Sequence, residues 1–252
     1  MRDPVSNSSE LAQSELARLR QIYLQLTKDI ILNEIYEPGP HTHEGRDLPP
    51  GNALTMIGRK RLDNVQALIE LLLANSIPGD LIETGVWRGG ATILMRAILA
   101  AYGVTNRRVF AADSFRGIPP INPQKYPADI AHEGMDKLEI LTNNSLDRVR
   151  ENFRRMGLLD DQVVFVQGWF KDTLPAIAVD HLALMRLDGD LYESTMDALV
   201  HLYPKLSPGG YVIIDDMCFE GCVKAVEDFR SARKITDKMI TIDWTGIYWQ
   251  KS

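Results

Sequence analysis

Cysteine is nearly absent: Cys218 and Cys222 are the two thiols in 252 residues. A disulfide-stapled scaffold is excluded, and reduced thiols in the cytoplasm are the expectation. A CxxxC pair alone is a poor metal signal and reads as two thiols on or near a helix. No stretch approaches the ~20 apolar residues of a membrane span. The polar residues 1–10 contain no apolar run of signal-peptide type. Basic residues are in deficit, 28 Lys plus Arg against 34 Asp plus Glu, for a formal net charge of −6. That balance argues against nucleic-acid binding, which draws on a basic stripe to neutralise phosphates. Internal repeats and low-complexity blocks are also missing. What remains is 45% hydrophobic and 25% charged, a composition that folds and buries a large core.

Two regions differ in pattern. Residues 9–36 read as a long amphipathic helix with an apolar face of Leu16, Leu19, Tyr23, Leu26, Ile30 and Ile31. Pro38, Gly39 and Pro40 break it, and a second helix is expected over 59–75. From Asp80 onward, short apolar strands alternate with helices. Strands are expected at 81–85, 108–113, 163–167, 182–188 and 211–215, with a terminal hairpin from 239–244 and 247–251. Residues 207–210 read as the turn closing a helix over 194–206. Alternation of this kind predicts an α/β, Rossmann-like, doubly wound sheet of seven mostly parallel strands. The expected organisation is a helical lid region over 1–78 and a core domain over 79–252.

Ligands of such sheets bind outside the carboxyl ends of the strands. All five leading strands end in polar or acidic residues: Glu83 with Gly85, Asp113 with Ser114, Gln167 with Gly168 and Trp169, Asp188 with Asp190, and Asp215 with Asp216. A buried, unpaired carboxylate is costly, so five such ends point to a site. Gly85 permits a tight turn, and Gly89 and Gly90 are expected to let a ligand approach a helix start. Trp87 stands where the second glycine of G-x-G-x-x-G belongs, which disfavours a dinucleotide and favours a nucleoside without phosphates. Asp113 is placed to accept hydrogen bonds from ribose hydroxyls, and Glu83 to meet a cationic amino group. Trp169 and Phe170 read equally as adenine-stacking or core residues. Asp188, Asp190, Asp215 and Asp216 would repel one another unless a cation joined them. Oxygen-only donors suit Mg²⁺ above all, or Ca²⁺ or Mn²⁺, with Asp188, Asp215 and Asp216 as ligands. Asp190 returns to the same side as Asp188 and is the candidate general base. Among the histidines, His41 and His43 are loop residues, His132 lies in a Pro-rich loop, and His181 and His201 read as structural. Asp243 reads as a turn or surface residue.

The glycine loop Glu83-x-Gly85-x-x-x-Gly89-Gly90 and the acid Asp113 resemble a class I S-adenosylmethionine-dependent methyltransferase. More specific segments are Asp113-Ser114-Phe115-Arg116-Gly117-Ile118-Pro119, residues 167–175 (QGWFKDTLP), residues 186–195 (RLDGDLYEST), and Gly209-Gly210-Tyr211 through Asp215-Asp216. Together these resemble the macrocin O-methyltransferase (TylF) family across roughly residues 15–250. The resemblance implies Mg²⁺-dependent methyl transfer to a sugar hydroxyl of a glycosylated small molecule. It implies cofactor contacts from Thr55, Met56, Glu83, Gly85, Arg88, Gly89, Gly90, Asp113, Ser114, Arg116, Gln167, Gly168, Trp169 and Asp188. It implies metal ligands at Asp188, Asp215 and Asp216. Macrolide members of the family can place a His base after the first metal Asp. Residues 188–192 hold no His, so Asp190 takes that role, and an aminocoumarin noviose 4-hydroxyl is the favoured acceptor. A catechol-type O-methyltransferase, a nicotinamide-dependent oxidoreductase and a non-catalytic binding module remain alternatives. The N-terminal helix pairs in cis or across a homodimer.

Overall fold

The computed structural model describes residues 4–37, 51–137 and 144–252; His41 and His43 lie outside them. Two helices come first, α1 (Pro4–Ile31) and α2 (Gly58–Ala74). The alternating part follows: β1 (Asp80–Thr84), α3 (Gly90–Ala101), β2 (Val109–Asp113), α4 (Leu146–Arg155), β3 (Val163–Gln167), α5 (Phe170–Thr173), β4 (Leu182–Leu187), α6 (Tyr192–Leu202), β5 (Leu206–Ile214) and α7 (Glu220–Arg233). It closes with β6 (Ile240–Thr241) and β7 (Ile247–Gln250).

The seven strands lie in the order β3-β2-β1-β4-β5-β7-β6. The first five are parallel; β7 runs antiparallel to β5, and β6 antiparallel to β7. The doubly wound sheet with an antiparallel end is therefore as the alternation predicts. β4 is buried at every position, as a central parallel strand covered on both faces must be. The chain leaves β1 toward β2 and β3, then returns to place β4 on β1's other side. The winding direction thus reverses between β1 and β4, and their carboxyl ends are where such sheets open a crevice.

One apolar layer joins α1, α2, α3 and α4 to one face of the sheet, and a second joins α6 and α7 to the other. The N-terminal helices share the first layer: Leu24, Ile31, Leu62 and Leu72 are fully buried beside Ile93 and Leu94 of α3. Each such side chain contributes about 1.5–3 kcal/mol. Arg20 fastens α1 to α3 by donating from Nε to the Ala101 carbonyl at 2.9 Å and lying 3.9 Å over the Tyr102 ring. Among the described residues, no helix is long and apolar enough to cross a membrane.

Three local expectations differ. The buried face of α1 is Leu24, Thr27, Lys28 and Ile31, whereas Leu16, Leu19, Tyr23, Leu26 and Ile30 are exposed. The helix carries two apolar stripes, and only tertiary packing selects between them. It also stops at Ile31, because Asn33 turns left-handed (φ 60), a conformation that ends helices and that Asn tolerates. Residues 207–210 belong to β5 rather than to a turn. Pro204 stops α6 early. The strand then starts at Leu206 with a register shift against β4, where Gly209 (φ 81) packs against Ile77.

Candidate active site

A cleft of about 850 Å³, including its open mouth, lies at the carboxyl ends of the strands. Of the residues singled out from sequence, Met56, Gly85, Asp113, Ser114, Gly168, Trp169, Asp188 and Asp190 line it. Trp87 and Phe170 line it as well.

Gly85 sits where β1 meets β4. Its φ of 85 is left-handed, and an added Cβ would lie 2.7 Å from the Asp188 carbonyl carbon and overlap the oxygen. Glycine here lets the loop carrying Asp188 close over β1. Gly89 and Gly90 stand outside the cleft lining and make room for the protein's own chain. A Cβ on Gly89 would touch Val149 at 3.0 Å, and one on Gly90 would strike the Leu54 carbonyl oxygen at 2.6 Å.

Three non-glycine residues are held left-handed in the loops after β1, β2 and β4: Trp87 (φ 48), Phe115 (φ 54) and Asp190 (φ 58). Such backbones cost about 1–3 kcal/mol each and persist only when their surroundings over-determine them. Here a carboxylate takes the N–H of each. Asp113 accepts from Trp87 at 3.4 Å and Phe115 at 2.7 Å, and Asp216 accepts from Asp190 at 2.9 Å. Asp113 also accepts from Val86 N–H at 2.7 Å. It is thus the staple between the β1 and β2 loops, in addition to any ligand it meets. Burial pushes its carboxyl above the usual range, against the pull of those backbone donors.

Glu83 lies beneath the cleft, 2% exposed, with Thr92 on one oxygen and Arg186 Nη1 on the other at 2.5 Å. Both of its oxygens are thus engaged by the protein's own side chains. Arg186 then donates to Asp188 at 2.9 Å and to Asp215 Oδ1 at 2.5 Å. Burial alone would depress its guanidinium, but Asp215, Asp188 and Glu83 outweigh that and hold it charged. The other Asp215 oxygen accepts from Arg61 Nη1 at 2.6 Å, and Arg61 Nε reaches Asp243 at 2.7 Å. Asp243 is buried, not a surface residue. Sequence reasoning missed both arginines. The available signal was Arg186 itself, a lone charge in the apolar run of β4, which must be paired if buried.

Asp188, Asp215 and Asp216 each offer an oxygen, all within 4.8 Å of one another. An oxygen-only set of this kind fits a hard divalent cation such as Mg²⁺. Asp215 accepts two guanidinium bonds but has about four lone-pair sites, so it retains capacity for a cation.

The remaining candidates stand behind or beside the lining. Arg88 Nη1 binds the Gly51 and Ala53 carbonyls at 2.9 Å each and thereby holds the segment carrying Thr55 and Met56. Thr55 is buried against Gly90, and Met56 faces the cleft. Arg116 and Gln167 are exposed and outside the lining. His132 is buried against Phe219, with ring centroids 4.3 Å apart. Its loop is anchored by Asp129, which accepts the Tyr192 N–H at 2.7 Å and so caps α6, whose own N-cap Leu191 cannot.

The Rossmann-like sheet with a cleft and acids at its switch point is the setting of the S-adenosylmethionine-dependent O-methyltransferases, and the chain's family and relatives place it in that class. Within it, the chain belongs to the macrocin O-methyltransferase (TylF) family, whose model matches residues 6–251. It is 49% identical to the 8-demethyl-8-(2,3-dimethoxy-alpha-L-rhamnosyl)-tetracenomycin-C 4'-O-methyltransferase of Streptomyces olivaceus, over 92% of this chain and 93% of that one. It is 47% identical to the demethyldecarbamoylnovobiocin O-methyltransferase of Streptomyces niveus, over 92% and 94%. The solved structure of the O-methyltransferase NovP superposes with a TM-score of 0.89 at 48% identity, over 92% of this chain and 99% of that one.

Proposed function

We propose that the protein moves the methyl group of S-adenosylmethionine to a sugar hydroxyl of a glycosylated natural product, with an aminocoumarin noviose 4-hydroxyl as the leading acceptor. The relatives support a sugar hydroxyl: one is named for a 4'-position on a rhamnosyl-bearing polycycle, the other for a novobiocin precursor. The observation that carries the reading is the convergence of Asp188, Asp215 and Asp216, with Asp188 in the cleft lining beside Asp190 and the other two buried behind it.

In this reading Gly85, Asp113, Ser114, Gly168 and Trp169 cradle the adenosine, and Met56 closes over it. Asp188, Asp215 and Asp216 hold Mg²⁺. When bound, Mg²⁺ supplies Lewis-acid polarisation of an acceptor hydroxyl, which is otherwise a poor nucleophile at neutral pH. Asp190 takes the hydroxyl proton as the oxygen attacks the methyl carbon. The carbon–sulfur bond breaks, its electron pair returns to sulfur, and S-adenosylhomocysteine leaves. Residues 51–57 and the loop containing Ile118 and Pro119 exclude water. Charge agrees with this assignment. Glu83, Asp188, Asp215 and Asp243 pair with two guanidiniums, and Asp216 and Asp190 add two further carboxylates, so the acids outnumber the guanidiniums by four. A divalent cation and the single net positive charge of S-adenosylmethionine would offset most of that surplus.

The test is methyl transfer across desmethyl aminocoumarins, rhamnosyl polycycles, macrolides and catechols, with Mg²⁺ or EDTA. Asp188→Asn is expected to abolish metal-dependent turnover while cofactor binding survives; full activity in EDTA would sink the metal assignment. Asp190→Asn is expected to lower kcat by about 10²–10⁴ with little change in Mg²⁺ affinity. Unchanged turnover would remove Asp190 as base.

A further inference from the structure

The segment from Gly51 to Arg61 contributes Met56 to the cleft lining and is fastened at both ends. At its start, Arg88 holds the Gly51 and Ala53 carbonyls, and the Gly90 N–H donates to the Leu54 carbonyl at 2.9 Å. These anchors belong to the glycine loop. The Leu54 N–H also donates to the Ile31 carbonyl at 2.7 Å, which ties the segment to the end of α1. Met56 then faces the cleft. At its other end Arg61, in the first turn of α2 and 1% exposed, grips Asp215 at 2.6 Å and Asp243 at 2.7 Å. Asp243 is in turn locked by the Thr245 and Gly246 N–H groups at 3.0 and 2.7 Å. The strap that brings Met56 to the cleft is thus bolted to a carboxylate of the cation cluster.

We infer that Arg61 is a positioning residue that couples this strap to the metal-ligand carboxylates, so that Mg²⁺ and S-adenosylmethionine strengthen each other's binding. The inference rests on Asp188, Asp215 and Asp216 being the Mg²⁺ ligands. A buried, two-pronged guanidinium contact transmits displacement well, because its fork is planar and its partner cannot swing into solvent. A cation drawing on Asp215 shifts or stiffens the Arg61 contact, and Met56 lies five residues before it on the same strap. Direct electrostatics works the other way. Mg²⁺ and the cationic cofactor repel, so positive coupling has to be carried by the protein. Coupling of this kind is reciprocal: each ligand must favour the other by the same factor.

The measurement is the calorimetric Kd of S-adenosylmethionine with and without saturating Mg²⁺, and the Kd of Mg²⁺ alone. In the wild type, Mg²⁺ is expected to tighten cofactor binding about five-fold or more. In Arg61→Gln the ratio should fall to within about two-fold of unity. Arg61→Lys keeps a buried charge without the fork and should behave alike. Met56→Ala leaves the ion-pair network whole, so it should keep wild-type Mg²⁺ affinity while binding S-adenosylmethionine more weakly and losing the coupling. If the arginine variants fail to fold, Met56→Ala decides. A wild type without coupling overturns the inference, as does Arg61→Gln or Met56→Ala with wild-type coupling. A wild type that binds no Mg²⁺ overturns the metal reading first and this inference with it.

Discussion

Replacing Gly85 with Ala tests the central geometric claim, that the β1 loop and the Asp188 loop fit together only because one residue has no side chain. The added Cβ would lie 2.7 Å from the Asp188 carbonyl carbon. Carbon atoms pack at about 3.5–4.0 Å and the Asp188 carbonyl oxygen lies nearer still, so one loop must retreat by at least about 1 Å. The left-handed backbone at φ 85 adds about 1–2 kcal/mol for any residue with a Cβ. Retreat also strains the hydrogen bond from Asp188 N–H to the Thr84 carbonyl, 2.8 Å long and worth about 1 kcal/mol. Together these destabilise the variant by about 2–3 kcal/mol, or about 5–10 °C in Tm for a chain of this size. Function should suffer more than stability. Asp188 offers one oxygen to the proposed cation site and precedes Asp190, the proposed base, and a 1 Å misplacement of reacting groups costs about 10²-fold in rate. The assay is kcat with saturating acceptor beside a thermal melt. A Gly85→Ala enzyme with wild-type kcat and Tm would refute the close approach and the placement of Asp188 derived from it.

Arg186→Gln leaves Glu83, Asp188 and Asp215 without their shared guanidinium; removing one partner of a buried pair costs about 3–5 kcal/mol, so Tm should fall by about 10 °C. A shift under about 2 °C would show that the network is not held by Arg186. The two thiols should differ sharply. Cys218 is exposed, whereas burial pushes the Cys222 thiol up to about 12. At pH 8 only about one Cys222 in 10⁴ would be thiolate, so iodoacetamide should label one cysteine in the native protein and two in denaturant. Rapid native labelling of both would contradict the burial of α7 against the sheet.

The sheet was legible because a buried parallel strand must be apolar throughout and must then stop. A polar residue at the end of an apolar run therefore marks an edge, and five such edges revealed the cleft and the acids around it. What each acid does was not legible, because its partner lies far away in sequence. Asp215 meets Arg61 across 154 positions, and Glu83 meets Arg186 across 103. Sequence spacing shows that Glu83, Asp113, Asp188, Asp190, Asp215 and Asp216 lie near one edge, but not which of their oxygens the protein itself uses. The structure divides them. Glu83 is engaged by Thr92 and Arg186, and Asp113 receives three loop N–H groups. Asp188 and Asp190 line the cleft, and Asp216 steadies the backbone on which Asp190 stands. The net charge of −6 is therefore not one reservoir awaiting a cation. Part of it balances two buried arginines and holds strained loops in place. That internal use gives the cleft its shape, since the same carboxylates would, without Arg61 and Arg186, drive the strand ends apart.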